Sequence, residues 1–167
     1  MSDEHVPEGV ISSQSDAQGI EIVRIFDAPR SEVFKAWTEP ERFATWFGGH
    51  GSSIPLDRAS MDVRPGGAWV AVMIIGPGQE LVFSGQFLEV DEPERLVMTV
   101  TDQVPPDGED AEVMTVLLEE IGDGRTRMTF TQRGGTMPAD EYQRTMEGWL
   151  VFFERLGGHL KTRHDAE

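Results

Sequence analysis

The chain has no cysteine among its 167 residues. That excludes a disulfide framework, a thiolate nucleophile and any metal site built on cysteine. Positive charge is also scarce: 14 Lys and Arg stand against 30 Asp and Glu, a formal net charge of −16. Nucleic acids and anionic membranes are bound through Lys and Arg that meet phosphates, so neither partner fits this balance. The acidity reads as a solubility device or an adaptation to high salt, with a basic partner as the other reading. No apolar run approaches the roughly 18 residues of a membrane span. The N-terminus lacks the basic-then-apolar pattern of a signal peptide, and a soluble, cytoplasmic chain is expected.

Several catalytic and cofactor signatures are missing too. The stretch "GGHGSS" at 48–53 is glycine-rich but lacks the Lys-Ser/Thr ending of a phosphate-binding loop. No G-x-S-x-G nucleophile motif occurs. Asp107, Glu109, Asp110 and Glu112 belong to a run without the D-x-D-x-D-G pattern of a calcium loop, and read as solvated. His159 and His164 are five apart, whereas a helical metal pair wants three or four. No metal and no cofactor are expected.

What is present is one domain's worth of alternating pattern. Residues 1–18 are polar and aperiodic and read as a flexible tail, leaving 19–164 as a single domain. "GIEIVRIFDAP" alternates and is predicted as a strand at an edge. "SEVFKAWT" then places Val33, Phe34 and Trp37 on one helical face. "TEPE", Thr38 to Glu41, has the form of a capping box, and predicts a second short helix carrying Phe43, Trp46 and Phe47. Six strands follow, near 56–63, 67–75, 80–91, 95–102, 112–121 and 125–133, separated by short turns that favour antiparallel neighbours. The second of these strands is unusual. In "AWVAVMII" both faces are apolar, with Trp69, Ala71, Met73 and Ile75 on one and Ala68, Val70, Val72 and Ile74 on the other. Finally Tyr142, Met146, Trp149, Phe153, Leu156 and Leu160 recur at spacings of three and four, the stripe of a long amphipathic helix. The order is α+β: a sheet of about seven antiparallel strands, two short helices after the first strand, and a long C-terminal helix. Such a sheet curls, with Gly66, Gly67 and Gly85 as candidate bends, and the helix laid in the concavity covers its inner face.

The stretches "DAPRSEVFKAWTEPERFATWF", "DVRPGGAWVAVM" and "FSGQFLEVDEPERLVMT", with the Gly148-Trp149 helix, closely resemble the START-like, helix-grip (SRPBCC) superfamily. More narrowly, they resemble the branch named after the C-terminal domain of the activator of the heat-shock-protein-90 ATPase. The resemblance runs from about Ile20 to Leu160 and implies a curved sheet gripping the last helix, with a cavity between them and the short helices closing one end. It implies Trp46, Phe47, Trp69, Met73, Trp149 and Phe153 as cavity wall. Met61, Met73, Met98, Met114 and Met128 fall on strands and Met146 on the long helix, and such adaptable side chains suit either a promiscuous site or an irregular core. Met98, Met128 and Met146 join the candidate wall.

Candidates for chemistry are few. His50, in the glycine loop after Trp46-Phe47, could move a proton at a cavity mouth; a solvated loop histidine is the competing reading. Arg58, Thr99, Thr131 and Gln132 are polar strand residues whose face alternation does not settle. The reading that results is the binding of a small, largely apolar molecule in the cavity. The alternatives are a cyclase- or hydratase-type enzyme using the same cavity, and a chaperone-related interaction module with a packed interior. The branch's co-chaperone members owe much of their chaperone contact to a separate N-terminal domain, and residues 1–18 offer only a short polar tail. Paired strand edges leave room for a homodimer.

Overall fold

The structure is a computed structural model that describes residues 9–48, 51–101, 112–135 and 137–166, with 163–166 described by backbone alone. Its elements run β1 (Val10–Asp16), β2 (Gly19–Phe26), α1 (Arg30–Thr38), α2 (Pro40–Trp46), a 3-10 turn (Leu56–Arg58), β3 (Ala59–Met61), β4 (Ala68–Gly76), β5 (Gln79–Asp91), β6 (Arg95–Val100), β7 (Glu112–Gly122), β8 (Arg125–Arg133) and α3 (Ala139–Ala166). The strands form one sheet in the order β1-β2-β8-β7-β6-β5-β4-β3, antiparallel throughout. With α3 along its inner face, this is the helix-grip α+β fold.

Eight strands stand where about seven are expected, because part of the expected tail is β1. Val10–Asp16 pairs with β2 and turns the expected edge strand into an interior one. The residues of β1 are almost all exposed or half-buried, and Gln14 Nε2 donates to Glu21 Oε1 at 3.1 Å across the pair. A strand held by its backbone ladder rather than by burial carries no apolar alternation to read. Residues 1–8 of that tail lie outside the described residues.

The second correction concerns the start of α2. Thr38 is the last residue of α1, and its hydroxyl donates back to the Phe34 carbonyl at 2.9 Å, so it does not cap α2. Glu39 holds the cap position in an extended conformation without a side-chain cap bond, and Pro40 begins the helix. Proline at the first helical position supplies the start signal that the capping box was expected to give, since its missing N–H would be unpaired there anyway. Similarly the strand expected over 56–63 shrinks to Ala59–Met61, because Pro55 opens a 3-10 turn.

Register fixes the inner face. Ile22 pairs Phe130, Phe130 pairs Val116, Val116 pairs Leu96, and Met114 pairs Met98, which in turn pairs Phe87. Against this face α3 buries Tyr142, Trp149, Phe153, Leu156 and Leu160. Each such burial is worth on the order of 1.5–3 kcal/mol, so α3 is integral to the domain. Strand β4 resolves its two apolar faces unequally. Trp69, Ala71 and Met73 are buried inward and Val72 is buried on the other side, while Ala68 and Ile75 are exposed. At Gly85 β5 comes close to the Thr99 backbone of β6: a Cβ would fall on the Thr99 carbonyl oxygen, and no other residue fits that approach. Trp69 Nε1 donates to the same carbonyl at 2.8 Å.

Candidate functional site

The expected cavity wall divides into two groups. Trp46, Trp69, Met98, Met128 and Phe153 are completely buried and Met73 nearly so, and none of them lines the three hollows described below. They belong to a packed aromatic centre. Trp37 meets the Trp46 ring edge-on at 4.8 Å, stacks on Phe130 at 6.0 Å and touches Phe153 at 6.1 Å. Trp46 Nε1 donates to the Ala36 carbonyl at 2.9 Å, which satisfies its polar atom. Met146 packs half-buried against the same core. Only Phe47 and Trp149 border open space.

That space is a cleft of about 550 Å³ at the N-terminal half of α3, where the helix leaves β5, β7 and β8. Its apolar walls are Phe47, Phe83, Met137, Trp149 and Phe152. The rings face one another at steep angles: Phe47 to Phe83 at 5.3 Å, Phe47 to Phe152 at 5.5 Å, Trp149 to Phe152 at 5.4 Å. Two other hollows differ in kind. One is a shallow surface depression among Arg30, Glu94, Arg95 and Glu120, which pair with neighbouring charges. The other, about 1080 Å³, is a groove between β2 and the C-terminal half of α3, floored by the Arg24 guanidinium lying 5.2 Å from the Phe26 ring centre. Aromatic walls with a few convergent polar groups mark a small-molecule site, and of these three hollows among the described residues the cleft beside Trp149 combines them.

The polar groups converge at one end of it. Alternation along β7 and β8 sends Glu112 and Gln132 inward, in line with Met114 and Val116 on one strand and Met128 and Phe130 on the other. Trp149 Nε1 donates to Gln132 Oε1 at 2.8 Å. An indole N–H can only donate, so the amide is turned with its Nε2 toward Glu112 Oε1, a long contact at 3.4 Å. Glu112 is only 6% exposed, and its Oε2 has no partner of hydrogen-bonding geometry. Gly135 makes room for that oxygen: a Cβ there would fall on it. Beneath lies the Tyr142 phenol, also buried. Burial first, then its interaction with the Glu112 carboxylate, push it up to about 12, against a smaller opposing pull from the Gly135 backbone N–H. At neutral pH the phenol is therefore protonated and can donate. The remaining charged wall residue is Glu141, and among the described residues no Lys, Arg or His lines the cleft.

Glu112 was expected both to open the strand at 112–121 and to belong to a solvated acidic run; it does open β7, but its side chain is buried, and its period-two relation to Met114 was the signal for an inward side chain. Of Arg58, Thr99, Thr131 and Gln132, Gln132 alone lines the cleft, while Arg58 pairs with Glu80 at 3.0 Å on the surface. Phe83, Met137 and Phe152 are apolar residues that sequence reasoning did not single out. His50 and the acidic residues at 107, 109 and 110 lie outside the described residues, as does the His164 side chain. His159 Nδ1 lies 3.1 Å from Thr45 Oγ1. Among the described residues no helix is long and apolar enough to cross a membrane.

Comparison with known proteins agrees with this architecture. A family model described as Activator of Hsp90 ATPase homolog 1-like protein matches residues 27–161. None of the curated proteins matches the chain significantly. Among solved structures, protein NE0264 from Nitrosomonas europaea is 26% identical with a TM-score of 0.73, over 89% of this chain and 97% of that one. The AHSA1 (SPO3351) protein from Silicibacter pomeroyi is 23% identical with a TM-score of 0.74, over 87% and 99%. CalU16 from Micromonospora echinospora is 23% identical with a TM-score of 0.61, over 89% and 79%, and at that identity supports the fold alone. With the match spanning all three helices and every strand but the first two, the chain belongs to the Activator of Hsp90 ATPase homolog 1-like family and carries its START-like helix-grip fold.

Proposed function

We propose that this chain binds a small, largely apolar molecule in the cleft between the sheet and the N-terminal half of α3. The observation that carries the reading is the cleft itself: about 550 Å³ walled by Phe47, Phe83, Trp149 and Phe152, with few polar groups, among them Glu112 and Gln132, on its lining. Ligand sites of this kind typically enclose about 300–1,000 Å³. Desolvation of the rings supplies affinity and the Gln132–Glu112 end supplies orientation. A ligand of about twenty non-hydrogen atoms at about 0.3 kcal/mol each would gain about 6 kcal/mol, a Kd on the order of tens of micromolar.

The test combines native mass spectrometry of the purified protein with thermal shifts from a panel of apolar aromatic compounds. A co-purifying mass, or a saturable rise in Tm that Phe152→Ala weakens while the variant stays folded, supports the cleft. A bare mass with no shift from any compound overturns it, and leaves the interaction-module reading.

A further inference from the structure

The charge of the cleft restricts what the bound molecule can be. Glu112 is more than nine-tenths buried, and a carboxylate in that position is ordinarily paired with a cation. Here its neighbours are neutral: Gln132 Nε2 at 3.4 Å and the Tyr142 phenol. Among the described residues no Lys, Arg or His forms an ion pair with it, and its Oε2 lacks a hydrogen-bond partner. Gln132 Oε1 is already taken by the Trp149 indole, and the donors that approach the carboxylate, Gln132 Nε2 and the Tyr142 phenol, leave its charge unneutralised. The second charge on the lining, Glu141, has the same sign. Around them stand the rings of Phe47, Phe83, Trp149 and Phe152, and an aromatic ring attracts a cation placed over its face through its quadrupole. Carboxylate and rings both favour positive charge, and among the described lining residues no cationic side chain favours negative charge.

Building on the ligand-binding reading above, we propose that the cleft selects organic cations: a protonated amine with an apolar, preferably aromatic body, its ammonium directed toward Glu112. The carboxylate acts through space in a low-dielectric site, so a direct contact is not required for the preference. An acid of the same shape would meet two carboxylates and no donor of positive charge.

Three probes share one bicyclic body and differ only in the head group: 2-(1-naphthyl)ethylamine, 2-(1-naphthyl)ethanol and 1-naphthylacetate. Calorimetric titration near neutral pH and at low salt should give the amine a Kd about tenfold or more below that of the alcohol, with no measurable binding of the acetate. In Glu112→Gln the amine should weaken about tenfold while the alcohol changes less than about twofold; Glu141→Gln, at the rim, should change the amine less than about threefold. Equal affinity for amine and alcohol, or an amine preference that survives in folded Glu112→Gln, overturns the proposal while the cleft reading stands. If none of the three binds but neutral compounds of the panel do, the cation preference again fails alone. If nothing binds at all, both readings fall. The probe comparison on the unaltered protein decides the matter even where Glu112→Gln does not fold.

Discussion

The two ends of the interface between the sheet and α3 are built from the same kinds of residue and come out differently. At one end α1 and α2 press Trp37, Phe43 and Trp46 against Phe130 and Phe153, and every one of these rings is sealed from water. At the other end Phe47, Phe83 and Phe152 stand around open volume, with Glu112 and Gln132 among them. Trp149 is the divider. One side of its ring stacks 6.0 Å from Trp37, the other approaches Phe152 at 5.4 Å, and its N–H leaves the core to reach Gln132. Aromatic content therefore does not distinguish core from site here. What distinguishes them is a covering element: the short helices fill the first end, and α2 stops at Phe47, on the edge of the second.

The largest effect should come from the sealed end. Trp37→Ala removes a fully buried ring with at least five aromatic neighbours, and should cost about 3–5 kcal/mol in urea unfolding. A loss below about 1 kcal/mol would mean that this end is loosely filled too, and the contrast between the two ends would be gone.

Overpacking sharpens the boundary. Met73 was expected on the cavity wall and is instead buried away from the cleft, near Gly48. Met73→Trp should therefore lower stability by about 1–3 kcal/mol and leave probe affinity in the folded fraction unchanged. Blocked binding without loss of stability would put Met73 back on the wall. Gly135→Ala tests the opposite side. Its Cβ would take the place of Glu112 Oε2, so the carboxylate must move; a similar or smaller destabilisation of about 1–2 kcal/mol should come with altered probe binding. Unfolding in denaturant and calorimetric titration separate the two readouts.

Much of this contrast was legible in the sequence, but not the part that locates the site. The strands from β4 onward, the stripe of α3 and the family resemblance all follow from apolar periodicity and ordered motifs, because burial imposes periodicity. Strand β1 was not legible: its serines and Gln14 face water on both sides, and backbone pairing leaves no trace in side-chain pattern. The division of the expected wall into packed centre and cleft was not legible either, for another reason. Trp46, Trp69 and Phe153 are as apolar as Phe83 and Phe152, and sequence reports apolarity without reporting what covers it. Glu112 lay in plain sight at the start of the expected strand, two residues before Met114, yet the acidic run before it suggested a solvated side chain rather than an inward one.

The smallest expected effect probes how far the polar end of the cleft is coupled to the packed protein beneath it. Tyr142 is the chain's one tyrosine, so its ionisation can be followed directly by ultraviolet absorbance. Its pKa is raised from 10.0 to about 12, with burial the largest cause and Glu112 next. A phenol whose folded pKa is raised favours the folded state in its neutral form. The stabilisation is thus complete below about pH 10 and is lost as pH climbs toward about 12. Tm measured across that window should fall more steeply in the parent than in Tyr142→Phe, the difference between the two isolating this group from the lysines that titrate nearby. Glu112→Gln should move the midpoint part of the way back toward 10, since it removes the charge and leaves the burial. A midpoint near 10 in the parent would mean that water reaches the phenol from the cleft, and that the open end of the interface extends one layer deeper than the packing of Tyr142 against the core implies.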